Sequence, residues 1–328
     1  MDWRCFWKRS NLQLKQEYLH EKIHRGSSAA DGFSFTKTSD TLRERKTDTM
    51  ELQEKKKALL ARIDEITKQD LCLAFSGGVD SSLLLKLVMD ASAKHGTKVY
   101  AVTFQTRLHP PCDLETATRV AKEVGTVHEV LYVDELEQEA IRCNPENRCY
   151  LCKHHLFGKL LEFAHAHGVK QVLDGTNEDD LHVYRPGLKA LKEYGVISPL
   201  AACHVTKAEV KELAAEYGVS VAYRPSTPCM ATRLPYGAEI NHDLLDRIAE
   251  GEAWLHTMFG AEENLRLRVH GDIVRLEIAP ERMGEVLEKR EEITEYLKNL
   301  GFSYLTLDLE GFRSGSMDQK IKQKEETK

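Results

Sequence analysis

From Leu71 onward, short apolar runs alternate with longer amphipathic stretches: LCLAF at 71–75, SSLLLKLVMDASAK at 81–94, VYAVTF at 99–104, LETATRVAKEVG at 114–125 and VHEVLYV at 127–133. The short runs, rich in β-branched and aromatic residues, read as strands, and the stretches with apolar positions three and four apart read as helices. Strand, helix, strand, helix, strand predicts an α/β fold, a parallel sheet with helices on both faces. QVLDGTN at 171–177 reads as a further strand running into a loop. TKAEVKELAAEYG at 206–218 predicts a capped helix, with Val210, Leu213, Ala214 and Tyr217 on one stripe and Gly218 at its end.

The segment YRPSTPCMATRLPYG at 223–237 holds three prolines and predicts a loop at a seam between domains. Beyond it, a helix at about 242–258 precedes LRLRVHGDIVRLEI, two short strands around a turn at His270 to Asp272. A helical PERMGEVLEKREEITEYLKNLG and a closing strand in FSYLTLDLEG complete a smaller C-terminal α+β domain. At the other end, residues 1–49 are polar and interrupted by Ser27, Ser28, Gly32, Ser34, Thr36, Thr38, Ser39 and Thr41, which predicts a disordered extension. Met50, a candidate translation start, opens a helix in which Leu59, Ile63 and Ile66 share a face. The expected division is therefore 1–49 extension, 50–225 larger α/β domain, 226–318 smaller domain and 319–328 charged tail, with no internal repeat.

Composition narrows the class. With 41% hydrophobic and 30% charged residues over 328 positions, the chain has the balance of a soluble globular protein. No window approaches the roughly 18 uncharged apolar residues of a membrane span. The 46 basic and 52 acidic residues leave a net charge of −6, a poor match for wrapping nucleic acid without sequence preference. Eight cysteines are too sparse for a disulfide scaffold and point to a reducing compartment. The N-terminal MDWRCFWKRSNLQLKQEYLHEK has no apolar core, so cytoplasm is the expected location. A homo-oligomer stays open.

The chemistry starts where the first strand turns into a helix, at Ser76, Gly77, Gly78, Val79, Asp80, Ser81 and Ser82. Glycines allow a tight, closely approachable backbone, and the new helix aims its free N–H groups and positive dipole end at the loop, so phosphate is the natural occupant. There is no lysine of the GxxxxGK[ST] kind and no GxGxxG spacing. The segment resembles the SGGxDS loop of the PP-loop ATP pyrophosphatases. The resemblance implies that Ser76, Gly77, Gly78, Ser81 and Ser82 grip the β- and γ-phosphates of ATP and that Asp80 assists Mg²⁺. It also implies that Thr103, Phe104 and Gln105 flank the adenine, and that Gly175, Thr176 and Asn177 touch the ribose or the phosphates. All sit at predicted carboxyl ends of strands, where an open α/β sheet binds its ligand.

Cys149 and Cys152 open a predicted helix whose stripe is Phe157, Leu160, Leu161 and Ala164, and cysteines three apart share a helical face. Such a pair is redox-active, a zinc half-site (with His154 and His155 at hand), an iron–sulfur half-site, or merely packed. Cys229 lies in the proline-rich loop, where the basic neighbour Arg233 would favour thiolate. Glu252, on an acidic helix, reads as a metal ligand or, more simply, as a solvated side chain.

DGTNEDD at 174–180, YRPGLKAL at 184–191, CMATRLPYG at 229–237 and LDLEGFRSGSM at 307–317, in that order, resemble the LarE family of ATP-dependent sulfur transferases, over about residues 52 to 318. The resemblance implies adenylylation of a pyridinium dicarboxylate mononucleotide with release of pyrophosphate, followed by displacement of AMP by sulfur to leave a thiocarboxylate. It implies one of two sulfur sources: a [4Fe–4S] cluster on Cys149, Cys152 and Cys229 with one iron left open, or sacrifice of Cys229 to dehydroalanine. It places Arg233, Arg266, Arg268 and Arg313 at the substrate, the last three on its phosphate, against the alternative that they are surface arginines. The competing readings are a tRNA thiolation enzyme, for which neither charge nor length supplies an RNA-binding face, an amide-forming enzyme, for which no glutaminase domain fits, and a non-catalytic nucleotide-binding module, which the complete glycine loop disfavours.

Overall fold

The computed structural model describes residues 38–225, 227–261, 263–313 and 315–316. The expected extension up to residue 37 and the tail at 319–328 lie outside the described residues. The first helix, α1, is Thr38–Ile66, so it starts ahead of Met50. Residues from Glu51 onward belong to one compact unit.

In that unit β1 (Leu71–Ala74), α2 (Val79–His95), β2 (Val99–Gln105), α3 (Pro111–Val124), β3 (Val127–Tyr132), α4 (Arg148–Ala166) and β4 (Gln171–Leu173) follow in order. The four strands form a parallel sheet ordered β3-β2-β1-β4, with Leu71 opposite both Val99 and Gln171. β1 and β2 are the inner strands, and Leu71, Cys72, Leu73, Ala101 and Val102 are fully buried, which explains why LCLA and VYAVTF read as apolar runs rather than alternations. Leu83, Leu84, Leu85 and Val88 of α2 and Leu59 and Ile63 of α1 pack into one core with Leu71, Leu73 and Ala101, while Cys72 and Val102 pack with Phe157, Leu160 and Ala164 of α4. The predicted capped helix is α5 (Lys207–Glu216), which packs beside α2 and starts with a complete Thr206–Glu209 capping box.

The second sheet follows α6 (His242–Phe259). A β5 (Arg266–His270) and β6 (Ile273–Glu277) hairpin is joined in parallel by β7 (Tyr304–Leu307), in the order β5-β6-β7. The stretch expected as one helix at 280–301 is two, α7 (Met283–Glu288) and α8 (Arg290–Asn299), because Lys289 leaves helical geometry at φ −95° and ψ 13° and caps both. The core under this sheet is not built from the C-terminal residues alone. Leu108, Leu136 and Ile141, from the segments after β2 and β3, pack with Leu245, Ile248, Leu267 and Leu297. Those segments bring the loop before Cys229 onto the carboxyl edge of the parallel sheet, where the Met230 N–H donates to the Leu108 carbonyl at 2.8 Å. Among the described residues, no helix is long and apolar enough to cross a membrane.

Candidate active site

The glycine loop leaves β1 and enters α2 with no side chain capping the helix, so its first amide N–H groups stay available. Gly77 sits at φ +72°, and a Cβ there would come 2.7 Å from the Ala117 nitrogen of α3. A Cβ on Gly175, after β4, would lie 2.9 Å from the Ser81 nitrogen. Both glycines let neighbouring backbone close around the loop. Within it the Ser76 and Ser81 hydroxyls are 3.1 Å apart, Gly78 N–H donates to Ser76 Oγ at 3.3 Å, and the buried Ser82 hydroxyl has no partner among the described residues.

Asp80 stands in the first turn of α2 with both carboxylate oxygens engaged. Asn177 Nδ2 donates to Oδ1 at 2.8 Å, and Lys207 Nζ forms an ion pair with Oδ2. Asn177 is buried and is held by an exchange of bonds with Asp180, its N–H to Oδ2 and Asp180 N–H to its Oδ1, each 3.3 Å. A carboxylate is the hard oxygen donor that Mg²⁺ takes, so the chemistry of Asp80 fits that ion. Thr176 and Ser198 each donate to Asp174 at 2.5 Å, and Lys153 Nζ lies 3.9 Å from the same carboxylate. The Thr103 hydroxyl bonds the Phe75 carbonyl at 2.6 Å and lies 2.8 Å from His128 Nε2, and Phe104 packs on Phe157 of α4.

α4 links this edge to the cysteines, since Cys149 and Cys152 open it and Phe157 lies two turns on. The structure brings Cys149, Cys152 and Cys229 into electrostatic reach of one another, beside the buried guanidinium of Arg148 and the buried carboxyl of Glu135. Arg148 is 2% exposed, donates to Asn144 Oδ1 at 2.7 Å and to Cys149 Sγ at 3.4 Å, and faces Cys229. Burial alone would lower its pKa, but the sulfurs of Cys229 and Cys149 outweigh that and hold it firmly charged. Glu135 is fully buried, and Cys152 Sγ donates to its Oε1 at 3.7 Å. Burial raises its carboxyl to about 7.

The expectation that Cys229 is held as thiolate by Arg233 is corrected. Burial pushes the Cys229 thiol up, and the cation opposing that push is Arg148. Arg233, 3% exposed, is paired bidentately to Glu252 at 3.0 and 2.7 Å and donates to the Pro228 and Cys229 carbonyls at 2.9 and 3.3 Å. It fixes the backbone of the cysteine loop. Glu252 is not a solvated side chain, since it is buried against Arg233 and accepts the Leu267 N–H at 2.9 Å.

Arg266 and Arg268 are not surface arginines either, because both are buried on β5. Arg268 pairs with Glu277 at 3.0 Å, donates to the Thr232 carbonyl and reaches Ser316 Oγ at 3.0 Å. Arg266 lies over the Phe312 ring at 5.2 Å, and among the described residues no carboxylate is within ion-pair distance of it. Burial and the nearby Arg233 lower its pKa to about 10. Arg313, in the same terminal loop, is one-third exposed and pairs with Glu310 at 2.7 Å. The Arg266 guanidinium donates to the Leu265 carbonyl at 2.6 Å, with Glu252 and Glu277 in electrostatic reach.

His154, considered for zinc, instead meets the Tyr194 hydroxyl at 3.1 Å through Nδ1. Among the described residues no set of three or more His, Cys, Asp or Glu side chains is gathered to hold a single metal ion. Three cysteine sulfurs are the donor type that an iron–sulfur cluster takes, so the chemistry of these residues fits one. Sequence reasoning missed Lys207, Glu135 and Arg148. Lys207 carried no signal beyond helix formation, whereas Arg148, next to the cysteine pair, matched a known way of stabilising sulfur anions.

The asparagine synthase family is matched over residues 58–181, the stretch that carries the glycine loop and the parallel sheet. The chain is 36% identical over 75% of its length, and 91% of the relative's, to an uncharacterized protein of Synechocystis sp.. It is 33% identical over 82% of its length, and 96% of the relative's, to a pyridinium-3,5-bisthiocarboxylic acid mononucleotide synthase of Lactiplantibacillus plantarum. An uncharacterized protein of Methanocaldococcus jannaschii is 30% identical over 76% of the chain and 94% of its own length.

Proposed function

The chain belongs to the LarE family of ATP-dependent, sulfur-transferring PP-loop enzymes, and from that premise we propose that it converts a carboxylate of a pyridinium dicarboxylate mononucleotide to a thiocarboxylate. The observation that carries this reading is the convergence of Cys149, Cys152 and Cys229 on the buried Arg148, with Arg233 bonded to the backbone of the Cys229 loop. In this reading residues 50–225 supply the ATP chemistry and residues 226–318 the substrate phosphate contacts.

The substrate carboxylate attacks the α-phosphorus of ATP, and pyrophosphate leaves into the loop, where Ser76, Gly77, Gly78, Ser81 and Ser82 donate to it; Asp80 would hold Mg²⁺, which would supply further charge neutralisation. Donors aimed at the place where charge develops lower that barrier. Gly175, Thr176 and Asn177 line the nucleotide, and Thr103 and Phe104 flank its base. Arg266, Arg268 and Arg313 bind the substrate phosphate, while Arg233 holds the Cys229 loop against it. Cys149, Cys152 and Cys229 would hold a [4Fe–4S] cluster, which supplies an open iron for the transferred sulfide. Arg148 neutralises the negative charge gathered there.

The second reading is favoured by the position of Cys229 in the family's sulfur-donating segment. Its thiolate attacks the acyl carbon, AMP departs with the bonding pair, and loss of the Cα proton breaks the Cβ–S bond to leave dehydroalanine and the thiocarboxylate.

One experiment tests both parts. Protein reconstituted anaerobically should bind about four irons per chain, release pyrophosphate from Mg-ATP with the dicarboxylate nucleotide, and keep its mass through repeated turnover with sulfide. Iron-free protein that completes one transfer and loses the mass of H₂S at Cys229 overturns the cluster and leaves the sacrificial route. Pyrophosphate release by Asp80→Ala at the wild-type rate overturns the assignment of the loop.

A further inference from the structure

Asp80 is the group through which the loop would hold Mg²⁺, yet neither of its oxygens is free. Asn177 occupies Oδ1 and Lys207 occupies Oδ2. The two partners differ in kind. Asn177 is buried, neutral and locked by Asp180, so it orients the carboxylate permanently. The Lys207 side chain is 36% exposed, and it carries a full charge on a flexible four-carbon stem. Its backbone is anchored instead, by its N–H to Asp179 Oδ2 at 2.8 Å and by the Thr206–Glu209 capping box behind it. The main chain thus stays put while the ammonium is able to swing. Across the loop lie the uncapped amides of α2, where a triphosphate offers the ammonium stronger anions than one carboxylate.

We propose that Lys207 is a positioning residue that stands in for the metal: it holds Asp80 while the nucleotide is absent, then releases that oxygen to Mg²⁺ and follows the phosphates when ATP binds. The inference rests on the adenylylation reading above. Its consequence is an order of events, in which the divalent ion enters with ATP and not before it. A lysine that merely tied α5 to α2 would impose no such order.

The test measures binding rather than turnover, with Mn²⁺ as a spectroscopically visible probe and ATP titrated calorimetrically with and without divalent ion. Wild-type protein should bind Mn²⁺ poorly alone and well with ATP. Lys207→Met should bind Mn²⁺ alone about tenfold more tightly or better, and ATP in chelator about tenfold more weakly, each corresponding to one charge-assisted contact. Lys207→Arg should restore ATP binding in chelator, and Lys207→Gln provides a second neutral variant should methionine disturb folding. Equal Mn²⁺ affinity for wild type and both neutral variants overturns the proposal. So does Mn²⁺ binding that persists in the Lys207→Met, Asp80→Asn double variant, because the ion would then sit elsewhere. Failure of the wild type to bind Mn-ATP at all would instead overturn the adenylylation reading, and the inference with it.

Discussion

Glu135→Gln is expected to make the protein more stable at alkaline pH, the reverse of what loss of a charged group usually does. The carboxyl is fully buried, Oε1 accepts from Cys152, and Oε2 has no partner among the described residues. Burial raises its pKa from an ordinary 4.5 to about 7, against the pull of its own backbone N–H and the Thr106 hydroxyl. Between those two values the folded chain holds a proton that the unfolded chain releases, so stability falls as pH rises through that window. The gap corresponds to about 3 kcal/mol, present below pH 4.5 and lost above pH 7. Glutamine keeps the shape without the charge, so the variant should match wild type near pH 4 and exceed it by up to about 3 kcal/mol at pH 8. Urea denaturation across this range reads the difference directly. A second readout follows from the neighbours: Glu135 helps push up the thiols of Cys152 and Cys229, so both should alkylate faster at pH 8 in the variant. A glutamine variant whose stability tracks wild type at every pH, or falls below it at pH 8, would show the carboxylate to be ionised and satisfied, refuting the argument.

Glu252→Ala strips a buried guanidinium of its bidentate partner and orphans the Leu267 N–H, which should cost about 3–5 kcal/mol and lower the melting temperature by roughly 6–20 °C. A calorimetric shift below about 2 °C would mean that the pair is solvated. Gly77→Ala meets both a left-handed backbone and the Ala117 main chain, so loop closure should fail and ATP affinity fall at least about tenfold. Gly96→Ala, equally left-handed but with nothing within 4 Å, should lose about 1–2 kcal/mol of stability and keep its ATP affinity, a contrast read by titration calorimetry.

Periodicity was enough to identify the parallel sheet, because buried central strands such as LCLA need apolar residues on both faces and flanking helices need them on one. The glycine loop was equally legible, since a tight strand-to-helix turn around phosphate admits few residues at Gly77 and Gly78. What the sequence could not carry is which charges face which. Arg233 and Arg148 stand near cysteines in the chain, but only packing sends one to Glu252 and turns the other toward Cys229. Lys207 reads as one solvated helix residue among several until α5 is set beside α2, 127 positions from Asp80 in sequence. Local propensity is a property of neighbours in the chain. Burial, and with it the raised carboxyl of Glu135 and the lowered pKa of Arg266, is decided by segments that meet only after folding.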